Sequence, residues 1–309
     1  KMNLIKPKFW DEKFSLLSLL LIPLSLIYQS ILIIKNLFIK EKSFDIPIIC
    51  VGNIYLGGTG KTPLSIEIFK ILKENSKTPC IVKKYYKNQF DEHKLIDQIT
   101  KSLVLGKTRL QAINFSKEKN FKSIILDDGY QDKSIKKNLN IICFNSSQSI
   151  GNNLVIPAGP LRESLKALDH SQIVVINGEK NIELEKKILF IKKEMNIYYS
   201  NYRPCNLEKF KNLKLLAFAG IGNPENFFNL CKENNLDLRK TLSFPDHYNF
   251  KKKEIDKIND YAIQNDLSII TTHKDYLRIQ DLGFKNINYL ETALVIHQKE
   301  KFINQLLSY

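Results

Sequence analysis

Four of the twelve glycines in this chain fall within nine residues, in the run Val51-Gly52-Asn53-Ile54-Tyr55-Leu56-Gly57-Gly58-Thr59-Gly60-Lys61-Thr62-Pro63. The apolar stretch Ile46–Val51 precedes the run, and Leu64, Ile66, Ile68, Phe69, Ile71 and Leu72 follow it at helical spacing. A buried strand that turns through glycines into a helix opening with Gly-Lys-Thr has the layout of a phosphate-binding P-loop. Helix N-terminal N–H groups point at an anion there, and glycines let the backbone approach phosphate oxygens. Lys61 is then placed to reach the outer phosphates and the Thr62 hydroxyl to ligate Mg²⁺. One position departs from the strict pattern, which has glycine where this chain has Tyr55.

The pattern around the loop extends the argument. Strand-like runs at 46–51, 78–83, 102–105, 123–126 and 139–144 alternate with helical segments, and another strand is expected at 173–177. That alternation predicts an α/β fold with a parallel, P-loop NTPase-like sheet. A second α/β pattern begins near Leu213, predicting a second, smaller α/β domain. The boundaries read as an N-terminal membrane-associated helix at 1–43, a P-loop domain at 44–178, a linker at 179–208 (residues 179–205 reading as a linker or small β element) and the second domain at 209–309.

Phe14–Ile34 carries no charge over 21 residues and is bounded by Lys13 and Lys35. At the α-helical rise this reaches about 30 Å, the thickness of a bilayer's hydrocarbon core. Ser18, Ser25 and Gln29 form a weak polar stripe, so the segment reads as a membrane span, an interfacial helix or a core helix, with membrane association preferred. The formal charge of +15 points either to an anionic partner or to a compositional preference for lysine over arginine. No helix-turn-helix, aromatic platform or zinc-finger spacing accompanies that charge, so a nucleic-acid partner is not expected. Five arginines survive the preference (Arg109, Arg162, Arg203, Arg239 and Arg278), and Arg162 is the one singled out for bidentate anion recognition. The five cysteines have neither zinc nor disulfide spacing and read as reduced thiols.

Other residues are candidates for chemistry. Ile124-Ile125-Leu126-Asp127-Asp128-Gly129 ends an apolar strand in two carboxylates, which suits Mg²⁺ held opposite Thr62. Asp91 offers a base for an acceptor hydroxyl, or is one of the charges of a solvated loop. His247, in Phe244-Pro245-Asp246-His247-Tyr248, offers a partner for a carboxylate base, or is a hydrogen-bonded loop histidine. Thr271-Thr272-His273-Lys274-Asp275 follows a strand and reads as a strand-end loop.

In this order the motifs resemble the tetraacyldisaccharide 4'-kinase family over nearly the whole chain. Leu154-Val155-Ile156-Pro157-Ala158-Gly159-Pro160-Leu161-Arg162-Glu163 and Ala219-Gly220-Ile221-Gly222-Asn223-Pro224 are the most specific strings. The resemblance implies transfer of the ATP γ-phosphate to the 4'-hydroxyl of a tetraacylated disaccharide 1-phosphate in the biosynthesis of the lipid A of lipopolysaccharide. It implies a monomer at the cytoplasmic face of the bacterial inner membrane, acting on a lipid disaccharide with ATP and Mg²⁺. Tyr55, Leu56, Gly57, Gly58, Thr59, Gly60, Lys61, Thr62 and Glu163 would then bind nucleotide. Thr62, Asp127 and Asp128 would hold the metal, and Asp91, His247, Lys61 and Arg162 would serve catalysis. The chain departs from the family pattern at Lys83-Lys84-Tyr85-Tyr86, Asp132 and His273. The rival reading is a membrane-associated P-loop NTPase that couples hydrolysis to a partner, without needing Asp91 and His247 as a pair.

Overall fold

The computed structural model describes residues 6–246 and 248–309. In chain order the elements are α1 (Leu16–Leu37), β1 (Ile48–Gly52), α2 (Lys61–Glu74), β2 (Pro79–Lys84), α3 (Phe90–Thr100), β3 (Leu103–Gly106), α4 (Arg109–Glu118), β4 (Ser123–Asp127), β5 (Leu139–Asn145), β6 (Ile173–Asn177), α5 (Ile182–Ile191) and β7 (Asn196–Pro204). Then follow β8 (Lys214–Ala219), α6 (Pro224–Glu233), β9 (Asp237–Ser243), α7 (Lys252–Gln264), β10 (Ser268–Thr272), α8 (His273–Ile279), β11 (Ile287–Leu290), β12 (Thr292–Ile296) and α9 (Lys299–Leu307).

The chain forms two compact units. The larger comprises Lys6–Tyr85, Thr100–Asn201 and Leu294–Tyr309. Its sheet has the order β12-β7-β6-β5-β1-β4-β2-β3, and β1 pairs in parallel with both β4 and β5. Every residue of β1, β4 and β6 is buried, as expected for parallel strands covered on both faces. Because β4 lies between β1 and β2, the strand order reverses beside β1. Ligand crevices of open α/β sheets form at such switch points, at the carboxyl ends of the strands. The region expected as a linker or small β element holds α5 and β7, and β7 extends the sheet from β6 in parallel register. The C-terminal segment also belongs to this unit, where Phe302 packs edge-on against Tyr198 at 5.2 Å and Gln305 Oε1 accepts from Tyr198 Oη at 2.7 Å.

The other unit, as far as it is described, holds residues 86–99 and 202–293 around the parallel sheet β11-β10-β8-β9. Most of α3 groups here, although the sequence reading placed it in the 44–178 domain. Ion pairs explain the placement. Asp91, Glu92 and Lys94 on α3 bind Arg278, Lys274 and Asp281, which lie in or just after α8.

Helix α1 packs with its polar stripe inward. Ser18 and Ser25 are buried, whereas Leu16, Leu20, Leu26, Ile27, Ile31 and Ile34 are exposed. Ser25 Oγ donates to Val155 O at 2.8 Å and accepts from Ala158 N at 3.0 Å, and Asn152 Nδ2 donates to Ser18 Oγ at 3.1 Å. The helix is long and apolar enough to cross a membrane, but only 11% of its most apolar window is buried in the protein. A core helix would be mostly buried, so that alternative does not describe α1.

Candidate active site

The glycine loop runs from the end of β1 into α2. Gly60 sits at the helix N-cap with φ 91° and Gly57 has φ 140°, backbone that side chains rarely adopt. Gly52 is glycine for another reason: a Cβ there would lie 2.4 Å from the Cβ of Tyr130. Asn53 is buried and braces the turn, its Nδ2 donating to Tyr55 O at 2.5 Å and to Gly57 O at 3.3 Å. The Thr59 hydroxyl oxygen is buried in the same loop with no hydrogen-bond partner among the described residues.

Tyr55 is accounted for by pairing. It bridges Leu161 in antiparallel fashion, flanked by Leu56 N donating to Pro160 O at 2.8 Å and Arg162 N donating to Ile54 O at 2.7 Å. Its side chain is 1% exposed and belongs to the main core, so glycine's freedom is not needed at this position. Of the residues assigned to nucleotide, Tyr55 offers the loop its backbone and the core its ring, and the Leu56 side chain is exposed. The same pairing brings the 154–163 loop alongside the glycine loop and thereby positions Arg162.

Asp127 and Asp128 end β4, the strand beside β1. Asp127 is fully buried. Its Oδ2 accepts from Thr62 Oγ1 at 3.0 Å and Lys83 Nζ at 2.8 Å, and its Oδ1 from Ser65 Oγ at 3.2 Å. Asp128 adopts a left-handed backbone, φ 59°, which Asp tolerates better than most side chains. Its carboxylate lies 3.1 Å from Arg162 Nη1 and 3.6 Å from Lys61 Nζ, and Arg109 Nη2 donates to its carbonyl. Burial alone would raise the Asp128 pKa, but the charges of Lys61, Arg162, Lys83 and Arg109 outweigh it and hold the value at about 2. Gln131 joins the loops by donating to Asn53 O at 2.9 Å and accepting from Arg162 at 3.4 Å. Asp132 is paired with Arg109 Nη1 at 3.4 Å. Glu163 Oε1 is buried without a hydrogen-bond partner among the described residues.

A hydroxyl and a carboxylate lie side by side here, and no cluster of three or more His, Cys, Asp or Glu occurs among the described residues. That donor set fits a hard divalent cation that keeps waters and takes phosphate oxygens, rather than one caged by protein.

A separate carboxylate cluster lies in the smaller unit. Asp91, at the start of α3, is 4% exposed, and its Oδ2 accepts from Arg278 Nη2 at 2.6 Å and Nε at 3.1 Å. Arg278 Nη1 also donates to Asp275 Oδ1 and to Gly220 O, both at 2.6 Å. Asp275 Oδ2 in turn accepts from Gly220 N at 2.9 Å and Thr272 Oγ1 at 2.7 Å. The Thr271–Asp275 motif and the Gly220 motif therefore meet, tying the end of β8 to the start of α8. Burial is the first cause of a raised Asp275 pKa, and Asp91 adds to it; Arg278, Gly220 and Thr272 oppose it. His247, the expected partner of Asp91, lies outside the described residues. Sequence reasoning missed Lys83, Ser65, Arg109 and Arg278 as site residues; the scarcity of arginine was the one available signal, and it applied to Arg109 and Arg278 as well as to Arg162.

Gly-Lys-Thr at the mouth of a central parallel strand, with two carboxylates at the end of the next strand, defines a P-loop protein built to hold a nucleotide's phosphates. The chain belongs to the tetraacyldisaccharide 4'-kinase family, a family of enzymes. The family profile described as Tetraacyldisaccharide-1-P 4'-kinase matches residues 17–309. The chain is 42% identical to the tetraacyldisaccharide 4'-kinase of Pelagibacter ubique (strain HTCC1062), with 99% of this chain and 98% of the relative covered. It is 32% identical to that of Rickettsia canadensis (strain McKiel), covering 96% and 94%. Among solved structures, LpxK from Aquifex aeolicus, described as an apo form in complex with ATP, shares the fold with a TM-score of 0.74 at 24% identity, covering 95% of this chain and 99% of that one.

Proposed function

We propose that this protein transfers the γ-phosphate of ATP to the 4'-hydroxyl of a tetraacyldisaccharide 1-phosphate, the reaction named for its family, as a step of lipid A biosynthesis. The observation that carries the reading is the placement of Lys61 and Thr62 on the first turn of α2 against Asp128 and Asp127, in a chain that matches the family over nearly its full length. The ATP complex described for the Aquifex aeolicus relative supports ATP as the donor.

The glycine loop and the α2 N-terminus bind the phosphates, with the buried Thr59 hydroxyl available to them. Lys61 and Arg162 lie beside Asp128, where they can stabilise charge that develops on the transferred group. Thr62, Asp127 and Asp128 would hold Mg²⁺, which when bound neutralises phosphate charge and orients the phosphate oxygens. Glu163, at the end of the loop that carries Arg162, is assigned to the nucleotide side. Asp91 is assigned as the base for the acceptor hydroxyl. Arg278 holds it at 2.6 Å, and a loose phosphoryl-transfer transition state asks for little proton removal before the phosphate moves. His247 is proposed as its partner.

The inward polar stripe of α1 supports an interfacial placement. Its serines are used by the protein and its leucines and isoleucines are left for lipid, which is how a helix lies in a membrane surface. Because ATP is cytosolic, that surface is assigned to the cytoplasmic face of the inner membrane, where the protein acts as a monomer.

The test is an assay of the purified protein with Mg-ATP and tetraacyldisaccharide 1-phosphate in mixed micelles. The expected product is the 4'-phosphorylated lipid, and Lys61→Ala should reduce its rate by roughly 10²–10³-fold. ATP hydrolysis indifferent to the lipid, with no phosphorylated lipid formed, would overturn the kinase reading in favour of a coupled NTPase.

A further inference from the structure

Lys83 is the most deeply buried ammonium of the P-loop site, and the roles assigned above do not use it. It lies near the carboxyl end of β2, one residue beyond the pairing of Val82 with Leu126, and therefore next to Asp127 on β4. Its side chain is 4% exposed, and the Asp127 side chain it meets at 2.8 Å is fully buried. An ammonium at that depth is costly unless a charge compensates it closely, so the lysine and the carboxylate stabilise each other there. The oxygen that Lys83 contacts, Oδ2, is also the one that faces the Thr62 hydroxyl. The ammonium thus lies against the carboxylate oxygen that, with Thr62, was assigned above to the metal.

We propose that Lys83 is a positioning residue that serves as a resident cation: it holds Asp127 in the nucleotide-free protein, keeps free divalent cations out, and releases the carboxylate when a metal arrives with nucleotide phosphates. This rests on the reading of Asp127 as a metal carboxylate. Two charge arguments support it. With Lys83 in place, Asp127 is already neutralised, so a lone divalent cation must displace a buried ion pair to bind. Nucleotide phosphates change the balance, because they offer the displaced ammonium another anionic partner and bring oxygens that complete the metal's coordination. The predicted order is therefore metal with nucleotide, not metal first.

The test uses Mn²⁺ as the probe, titrated by electron paramagnetic resonance into the full chain with and without a non-hydrolysable ATP analogue. Lys83→Gln retains a hydrogen-bond donor without the charge, and Lys83→Met keeps the length of the side chain. Thermal melts establish that each variant is folded, and having both guards against the loss of either. In nucleotide-free protein, the variants are expected to bind Mn²⁺ at least about tenfold more tightly than the unaltered chain, each 1.4 kcal/mol being a factor of ten. In the presence of a chelator they are expected to bind the ATP analogue several-fold more weakly. Unchanged nucleotide-free Mn²⁺ affinity in a folded variant overturns the proposal, provided Asp127→Asn abolishes Mn²⁺ binding in the presence of the analogue. If Asp127→Asn leaves that binding intact, the metal reading of Asp127 fails first and the proposal fails with it.

Discussion

The two buried carboxylate clusters differ in the balance of charge around Asp128 and around Asp275. Around Asp127 and Asp128 stand Lys61, Lys83, Arg109 and Arg162. Asp91 and Asp275 share Arg278, with Gly220 N and Thr272 Oγ1 as neutral donors to Asp275. The pKa directions follow the balance: Asp128 is held at about 2, whereas Asp275 is raised above the ordinary carboxylate value. Both Asp128 and Asp275 are desolvated, so burial does not distinguish them; the cations that act on them do, with Lys61, Arg162, Lys83 and Arg109 at Asp128 and Arg278 at Asp275. A site with cations in excess is prepared for a polyanion. At Asp275 the described cation is the guanidinium of Arg278, and burial holds its pKa above the ordinary carboxylate value.

The largest expected effect comes from removing the shared cation. Arg278→Ala leaves Asp91 and Asp275 buried without their guanidinium and should destabilise the protein by about 3–5 kcal/mol, read by chemical denaturation. Adding Asp275→Asn should recover part of that loss; if it recovers none, the balance of charge at Asp275 is not what sets it apart from Asp128.

A smaller effect tests the cation-rich side. Because its folded pKa is lowered, Asp128 contributes stability that is present above 3.8 and lost as pH falls towards about 2. Asp128→Asn should therefore cost about 2 kcal/mol at neutral pH, a difference that closes across that acid window in urea titrations. Asp275 runs the other way. Its raised pKa contributes stability that is present below 3.8 and lost as pH rises through the folded value, so Asp275→Asn should not open a gap of the same sign.

The smallest effect links the cation-rich site to α1. Ser25 holds Val155 O and Ala158 N in the loop that delivers Arg162. Ser25→Ala should cost about 1 kcal/mol of stability and raise the KM for ATP while leaving binding to lipid vesicles unchanged. Weakened vesicle binding with an unaltered KM would show that the serine serves the helix alone.

Much of the larger unit was legible because its signals are local. The β1–loop–α2 unit, the strand that ends in Asp127-Asp128 and the alternation of strand with helix lie in short windows whose periodicity and glycine content have direct structural meaning. Tyr55 looked like a defect in the loop because its pairing with Leu161 depends on a segment about a hundred residues away. Lys83 and Asp127 are 44 residues apart, and Arg278 and Asp91 are 187 apart. No spacing rule connects such residues, and lysine at the end of a strand reads as an ordinary surface charge. The grouping of α3 was missed for the same reason: its ion pairs are with residues in and after α8.

By itself the sequence determined the α/β class, the phosphate-binding loop, the paired carboxylates and the apolar stretch that became α1, because each depends on neighbours within one strand or one helical turn. Only the tertiary structure decided which cation compensates which carboxylate, and which face of α1 meets the protein. Those outcomes depend on which charges are buried together and which remain in contact with solvent, and burial is a property of the packed chain.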